Sequence, residues 1–265
     1  MYEKIELDKE NKEVTLEAYY EIKNTPTEAI LVIPGGGYGC VCADREGGPI
    51  ANAFLERGIN AFVLTYRVAP NTYPAPLVDA ARGMAYIRKN FEKYGVDPDR
   101  IYVVGFSAGG HLTGLISTQH GYAEKLLSLP ENFARPTASV YAYPVVSTEC
   151  PTHGGSFINL SGKKVEELSG EERRLYSIEC SVTENTPPAF IWHTAEDEIV
   201  PPIGSLRLAE HYMKAGVPVT LHLYPYGPHG VALADERTVC DNDKWIQPLA
   251  AGWVDYAVEF FKSLK

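Results

Sequence analysis

The sequence predicts an α/β domain in which a mostly parallel sheet is covered by helices on both faces. Two observations predict it. Solid apolar runs of strand length alternate with segments whose apolar residues step by three and four. One such run, Ile101 to Gly105, also leads through a serine flanked by glycines into a helix.

Taken in order, residues 3–8 and 13–22 alternate in polarity and read as a hairpin. Ala29 to Ile33 is a solid apolar run stopped by Pro34-Gly35-Gly36-Gly37, and such runs mark strands buried on both faces. A helix over 48–57 and a strand over 60–66 follow. Between Pro76 and Phe91, the positions Leu77, Ala80, Ala81, Met84, Ile87 and Phe91 form one face of an amphipathic helix. Val96 to Arg100 turns into the strand 101–105, a helix runs over 108–119, and a strand covers 138–144. After residue 186 come a strand over 189–193, a helix over 203–215, a strand over 218–224 and a helix from Trp245 to Leu264. With no repeat and no low-complexity linker, residues 1–265 read as a single domain. The less regular segment 147–186, with a short charged helix near 170–177, is an insertion. It is either a small lid over a site or a surface excursion.

The chain has 265 residues, 45% of them apolar, and a net charge of −10. The acidity argues against nucleic acid or an anionic membrane as partner, since both favour clustered Lys and Arg. Five cysteines without C-x-x-C spacing suit neither a disulfide framework nor a structural zinc site, and they read as small buried thiols. The charged N-terminus and the lack of a bilayer-length apolar run lead to the expectation of a cytoplasmic protein. The oligomeric state is open, a homo-oligomer included.

The chemistry centres on Gly105-Phe106-Ser107-Ala108-Gly109. A serine on a sharp strand-to-helix turn projects its hydroxyl above the sheet, and glycines two residues either side avoid collision in the turn. Ser107 is therefore the candidate nucleophile, and the Ala108 N–H at the helix start is an oxyanion donor. A serine hydroxyl needs a base oriented by an acid, and with this turn the partners follow in the order Ser, Asp or Glu, His. Asp197 is the chosen acid, with Glu196 and Glu198 as neighbouring alternatives. His229, in Gly227-Pro228-His229-Gly230, is the base because it lies in the loop after the next strand. His111 is set aside: four residues into the helix it drops ~6 Å away from the turn, toward the core. His193 lies on a strand end and His153 has no triad context. Gly36 and Gly37 supply the second set of oxyanion N–H groups, and the absence of Gly-Lys-Ser/Thr or G-x-G-x-x-G argues against a phosphate loop.

These residues resemble a known family. Val32 to Tyr38, Leu64-Thr65-Tyr66-Arg67-Val68-Ala69-Pro70, Pro74 to Ala80, Gly105 to His111, Ala195 to Pro201 and Gly227 to Gly230 look like the bacterial esterases near hormone-sensitive lipase. More narrowly they resemble the acetylxylan and feruloyl esterase-like group, the xylanase accessory esterases. The resemblance runs from about residue 29 to 265. It implies an α/β-hydrolase fold and Asp197 as triad acid. It also implies that Tyr38 to Gly48 walls the acyl pocket, with Tyr38 a substrate contact. The implied substrates are short acyl esters, chiefly acetyl groups on plant-polysaccharide fragments. Pro34 stands where hormone-sensitive-lipase relatives usually carry His, which favours the xylan-esterase-like branch and an open site with a small lid. The expected reaction is acyl transfer through Ser107, needing no metal or organic cofactor and weakening as falling pH protonates His229. A serine peptidase of the same fold and a non-catalytic binding protein share these motifs.

Overall fold

The computed structural model describes residues 1–264. Its strands are β1 (Tyr2–Glu6), β2 (Thr15–Tyr19), β3 (Thr27–Ile33), β4 (Asn60–Thr65), β5 (Val96–Phe106), β6 (Ser139–Ala142), β7 (Ala189–Thr194) and β8 (Val219–Tyr224). They form one eight-stranded sheet in the order β1-β2-β4-β3-β5-β6-β7-β8. The hairpin β1–β2 and the β2–β4 pair are antiparallel, and the remaining pairs are parallel. The anticipated turn at 97–100 is a break in the ladder, which pairs Thr27 with Val96 and resumes at Ala29 with Ile101.

The helices are α1 (Ala43–Glu46), α2 (Gly48–Leu55), α3 (Ala75–Lys89), α4 (Phe91–Tyr94), α5 (Ala108–Leu127), α6 (Gly154–Ser161), α7 (Gly170–Tyr176), α8 (Ile203–Lys214) and α9 (Trp253–Ser263). The solid apolar strands follow from burial on both sides. Successive side chains of β3 alternate between two cores, Leu31 and Ile33 entering one and Ile30 and Val32 the other. The first core takes Leu77 and Met84 of α3, Leu112 and Leu115 of α5, and Leu208 of α8. The second takes Phe54 of α2 and Trp253 and Phe261 of α9, with Trp253 stacked on Trp192 of β7 at 5.3 Å. Because β3 and β5 to β8 run parallel, the loops after them gather at one edge, where ligands bind in open parallel sheets. Those loops carry the glycine run, Ser107, Tyr143, Asp197 and His229.

Three expectations need correction. The last helix starts at Trp253, not Trp245. Pro248 disfavours helical backbone at Gln247, whose N–H instead bonds Ala234 O at 2.8 Å, leaving Trp245 beside the site. The cysteines are not buried: Cys40, Cys180 and Cys240 are exposed, and Cys42 and Cys150 are partly so. They lie in connections and in the insertion rather than on core-facing strands. The helix after Ser107 is longer than expected, continuing to Leu127 through a kink at Gln119.

The insertion is anchored. α6 buries Ser156, Phe157 and Leu160, and Asn159 Nδ2 donates to Gly37 O at 2.9 Å. His111, fully buried as anticipated, ties the insertion to the centre. Its Nε2 donates to Tyr176 O at 2.7 Å, which leaves Nδ1 to accept the Tyr38 hydroxyl at 2.9 Å. Burial lowers its pKa to about 4, the Tyr176 carbonyl acting weakly the other way.

Candidate active site

Ser107 sits at φ 53° and ψ −117°, a backbone conformation that side chains other than glycine rarely adopt. Neighbouring bonds hold it there. Its N–H donates to Ala142 O at 3.0 Å, and its carbonyl accepts from Val145 N at 3.0 Å and His111 N at 3.1 Å. The flanking glycines are sterically required. A Cβ on Gly109 would lie 2.1 Å from Ile33 O, and one on Gly105 would lie 2.1 Å from Gly109 O.

The hydroxyl of Ser107 donates to His229 Nε2 at 2.8 Å, and His229 Nδ1 donates to Asp197 Oδ2 at 2.6 Å. Asp197 is 4% exposed and receives four donors in all. Oδ2 also accepts His193 Nε2 at 3.0 Å, and Oδ1 accepts the N–H groups of Ile199 at 3.0 Å and Val200 at 2.8 Å. Burial pushes its carboxyl pKa up, but the bonds from His193 and His229 and the Val200 N–H outweigh it, leaving it well below the ordinary carboxylate range. Geometry thus separates Asp197 from its neighbours. Glu196 is exposed and accepts Gly227 N at 3.1 Å, and Glu198 is exposed.

The glycine run turns beside the serine. Gly36 has φ +123°, and a Cβ there would lie 2.2 Å from Cys40 O, so only glycine fits. Among the described residues no acceptor takes the N–H of Gly36 or Gly37. Ala108 opens α5, where intrahelical bonding leaves the N–H free. Gly36 and Gly37 line one cleft with Ser107, and Ala108 follows it at the start of α5. Gly36, Gly37, Cys42, Arg45, Glu46, Ser107, His153, His229 and Trp245 line a cleft of about 390 Å³. A second hollow of about 710 Å³, lined by Glu196, Glu198, Lys244 and Gln247, shares Ile199, Pro228 and His229 with it.

Tyr38 is a correction. It is 1% exposed and points inward to His111 rather than into the cleft, because φ of +56° directs its side chain under the loop. Of the expected wall from Tyr38 to Gly48, it is Cys42, Arg45 and Glu46 that face the cleft. Four further residues of the site carry little or no local signal in the sequence. His193 is buried against Asp197, with Ser205 Oγ 2.8 Å from its Nδ1, and only its place four residues before the acid hinted at this. His153 reaches the cleft from the start of α6. Glu46 and Tyr143 meet beneath the cleft, far apart in the chain and without a local signal.

The sheet, the serine turn and the loop order define an α/β-hydrolase fold. The chain matches the BD-FAE family over residues 16–212 and belongs to it. It is 35% identical over 225 residues to endo-1,4-beta-xylanase B of Butyrivibrio fibrisolvens, covering 83% of this chain and 35% of that one. It is 30% identical over 240 residues to an acetylxylan esterase of Xylanibacter ruminicola, covering 86% and 47%. The chain thus spans between a third and a half of the length of these curated relatives. Among solved structures, an acetyl ester-xyloside bifunctional hydrolase from Caldicellulosiruptor lactoaceticus superposes with a TM-score of 0.82 at 34% identity, over 94% of this chain and 88% of that one. A carboxylesterase from Lactobacillus plantarum superposes with a TM-score of 0.84 at 27% identity, over 99% and 97%. The expected fold and family are borne out.

Proposed function

We propose that this chain is a serine carboxylesterase that removes short acyl groups, chiefly acetyl, from plant-polysaccharide-derived oligosaccharides. One observation carries the reading: the unbroken hydrogen-bond chain Ser107–His229–Asp197, with bonds of 2.8 and 2.6 Å, opening on a cleft. The acid–base–nucleophile order of donors is the one acyl transfer requires.

In this reading His229 takes the proton from Ser107 as Oγ attacks the ester carbonyl. The N–H groups of Gly36, Gly37 and Ala108 receive the developing oxyanion. Asp197 holds the imidazolium, which returns its proton to the leaving alcohol. Water, deprotonated by the same imidazole, then splits the acyl-enzyme and releases the acid. The chain's own residues supply every proton transfer.

Two features support a small acyl group and a polar alcohol. Trp245 is the sole Phe, Tyr or Trp lining the cleft beside Ser107, so no aromatic-lined channel for a bulky acyl chain is found there among the described residues. The adjoining hollow past His229 offers carboxylates, an ammonium and an amide, groups suited to sugar hydroxyls. The names of the xylan-active relatives point the same way.

The test is a panel of p-nitrophenyl esters of increasing chain length, a methyl ferulate, an acetylated xylo-oligosaccharide and a peptide amide. The reading expects acetyl release from both the synthetic ester and the oligosaccharide, with turnover falling as the acyl chain grows. Preferential cleavage of ferulate or of the amide would contradict it.

A further inference from the structure

One buried ionisable side chain at the cleft takes no part in the acyl transfer above. Glu46, the last residue of the four-residue helix α1, is 3% exposed. Its Oε2 accepts the Gly35 N–H at 2.7 Å, and its Oε1 accepts the Tyr143 hydroxyl at 2.8 Å. Each bond leads into a different loop of the site.

Gly35 precedes the two oxyanion glycines and packs against the nucleophile. A Cβ on it would lie 3.0 Å from Ser107 Cβ. Tyr143 follows β6, and its ring stands edge-on to the His229 ring with centroids 5.1 Å apart. Its hydroxyl also accepts the N–H of Ala232, three residues past His229, at 3.1 Å. Arg45 adds a tie on the outer side, donating from Nη1 to Gly230 O at 2.9 Å and lying 4.7 Å from the Trp245 ring centre.

We propose that Glu46 is a positioning residue that couples the glycine run to the histidine loop, holding the oxyanion donors and the His229 ring in register with Ser107. This rests on the esterase reading. A carboxylate suits the place because both facing groups are donors, Gly35 N–H and Tyr143 O–H, so both of its oxygens are used. Burial pushes its carboxyl above the ordinary range, and the Gly35 N–H, the Tyr143 hydroxyl and the nearby His229 and Arg45 pull the other way. A buried charge is a costly way to fill space. Its two bonds, one to each loop, give it a use that an apolar side chain would lack.

Glu46→Gln keeps the volume but leaves one acceptor oxygen where there were two, so it can accept from Gly35 N–H or from Tyr143 O–H but not from both. Tyr143→Phe keeps the ring on His229 and removes the hydroxyl that joins Glu46 to the histidine loop. Both variants, their combination and the wild type would be assayed on p-nitrophenyl acetate, with melting temperatures measured alongside. Misplaced oxyanion donors act on the transition state, so the expected loss in Glu46→Gln is about 10- to 100-fold in kcat, with KM within about threefold. Because both changes cut one coupling, the double variant should be no slower than the slower of the two single variants. A Glu46→Gln kcat within about twofold of wild type, a loss carried by KM, or single losses that multiply in the double variant would each overturn the proposal. Should Glu46→Gln fail to fold, Tyr143→Phe decides, and a kcat within about twofold of wild type overturns it. A wild type that turns over no ester would sink the esterase reading and this proposal with it, whereas an active wild type with unaffected variants sinks the proposal alone.

Discussion

Asp197 illustrates how much the residue scale decides. Three adjacent carboxylates occupy one loop, yet only Asp197 is buried and meets two imidazoles and two backbone N–H groups. His193 shares the task. Both neighbours of its Nε2, Asp197 Oδ2 and Val200 O, are acceptors, so the proton sits on Nε2 and Nδ1 accepts from Ser205. Replacing it by Phe removes one charge-assisted bond to the acid, typically about 1.5–3 kcal/mol, which corresponds to roughly a 10- to 100-fold loss of kcat. Steady-state kinetics on p-nitrophenyl acetate check this. A His193→Phe variant with wild-type kcat would show that the remaining donors hold Asp197 unaided.

At the scale of elements, the site is assembled from loops that parallel strands deliver to one edge. That much was legible: the apolar runs gave the strands, and the glycine-flanked serine gave the turn at its required place between strand and helix. Asp197 and His229 were reachable because loop order follows strand order. Tyr38 was not, because the side its ring takes depends on a positive φ that no local spacing reveals. Glu46 and Tyr143 escaped for a related reason, since their meaning lies in a contact across 97 positions. The start of α9 was misjudged because an apolar pattern continues across Pro248, which breaks the backbone without breaking the pattern. A further element-scale tie is the pair joining the end of β4 to the first turns of α3. Asp79 is fully buried and takes Arg67 Nη2 at 2.7 Å, Nε at 2.8 Å and the Arg67 N–H at 2.9 Å. Asp79→Ala leaves that guanidinium unpaired and is expected to cost about 3 kcal/mol, read as a lower denaturation midpoint at unchanged slope.

Across the whole molecule, His111 joins the glycine loop, α5 and the insertion, and it does so as a neutral ring. Its folded pKa, lowered to about 4, lies below the ordinary imidazole value. Between about pH 6.5 and 4 the unfolded chain therefore binds a proton that the folded chain refuses, and stability falls as pH falls, by up to about 3 kcal/mol. Asp197 acts in the same sense lower down, its contribution being present above about pH 4 and lost below it. Melting temperatures at pH 7 and 4.5 should drop more for the wild type than for His111→Gln, and equal drops would assign the acid sensitivity elsewhere. The loops of the site meet at one nucleophile, Ser107. The most direct test is hydrolysis of p-nitrophenyl acetate by the intact protein and by Ser107→Ala at matched fold and concentration. The intact protein is expected to turn the ester over, and Ser107→Ala to lose about 10⁴-fold or more. No turnover by the intact protein, or equal turnover by both, would contradict Ser107 as the nucleophile.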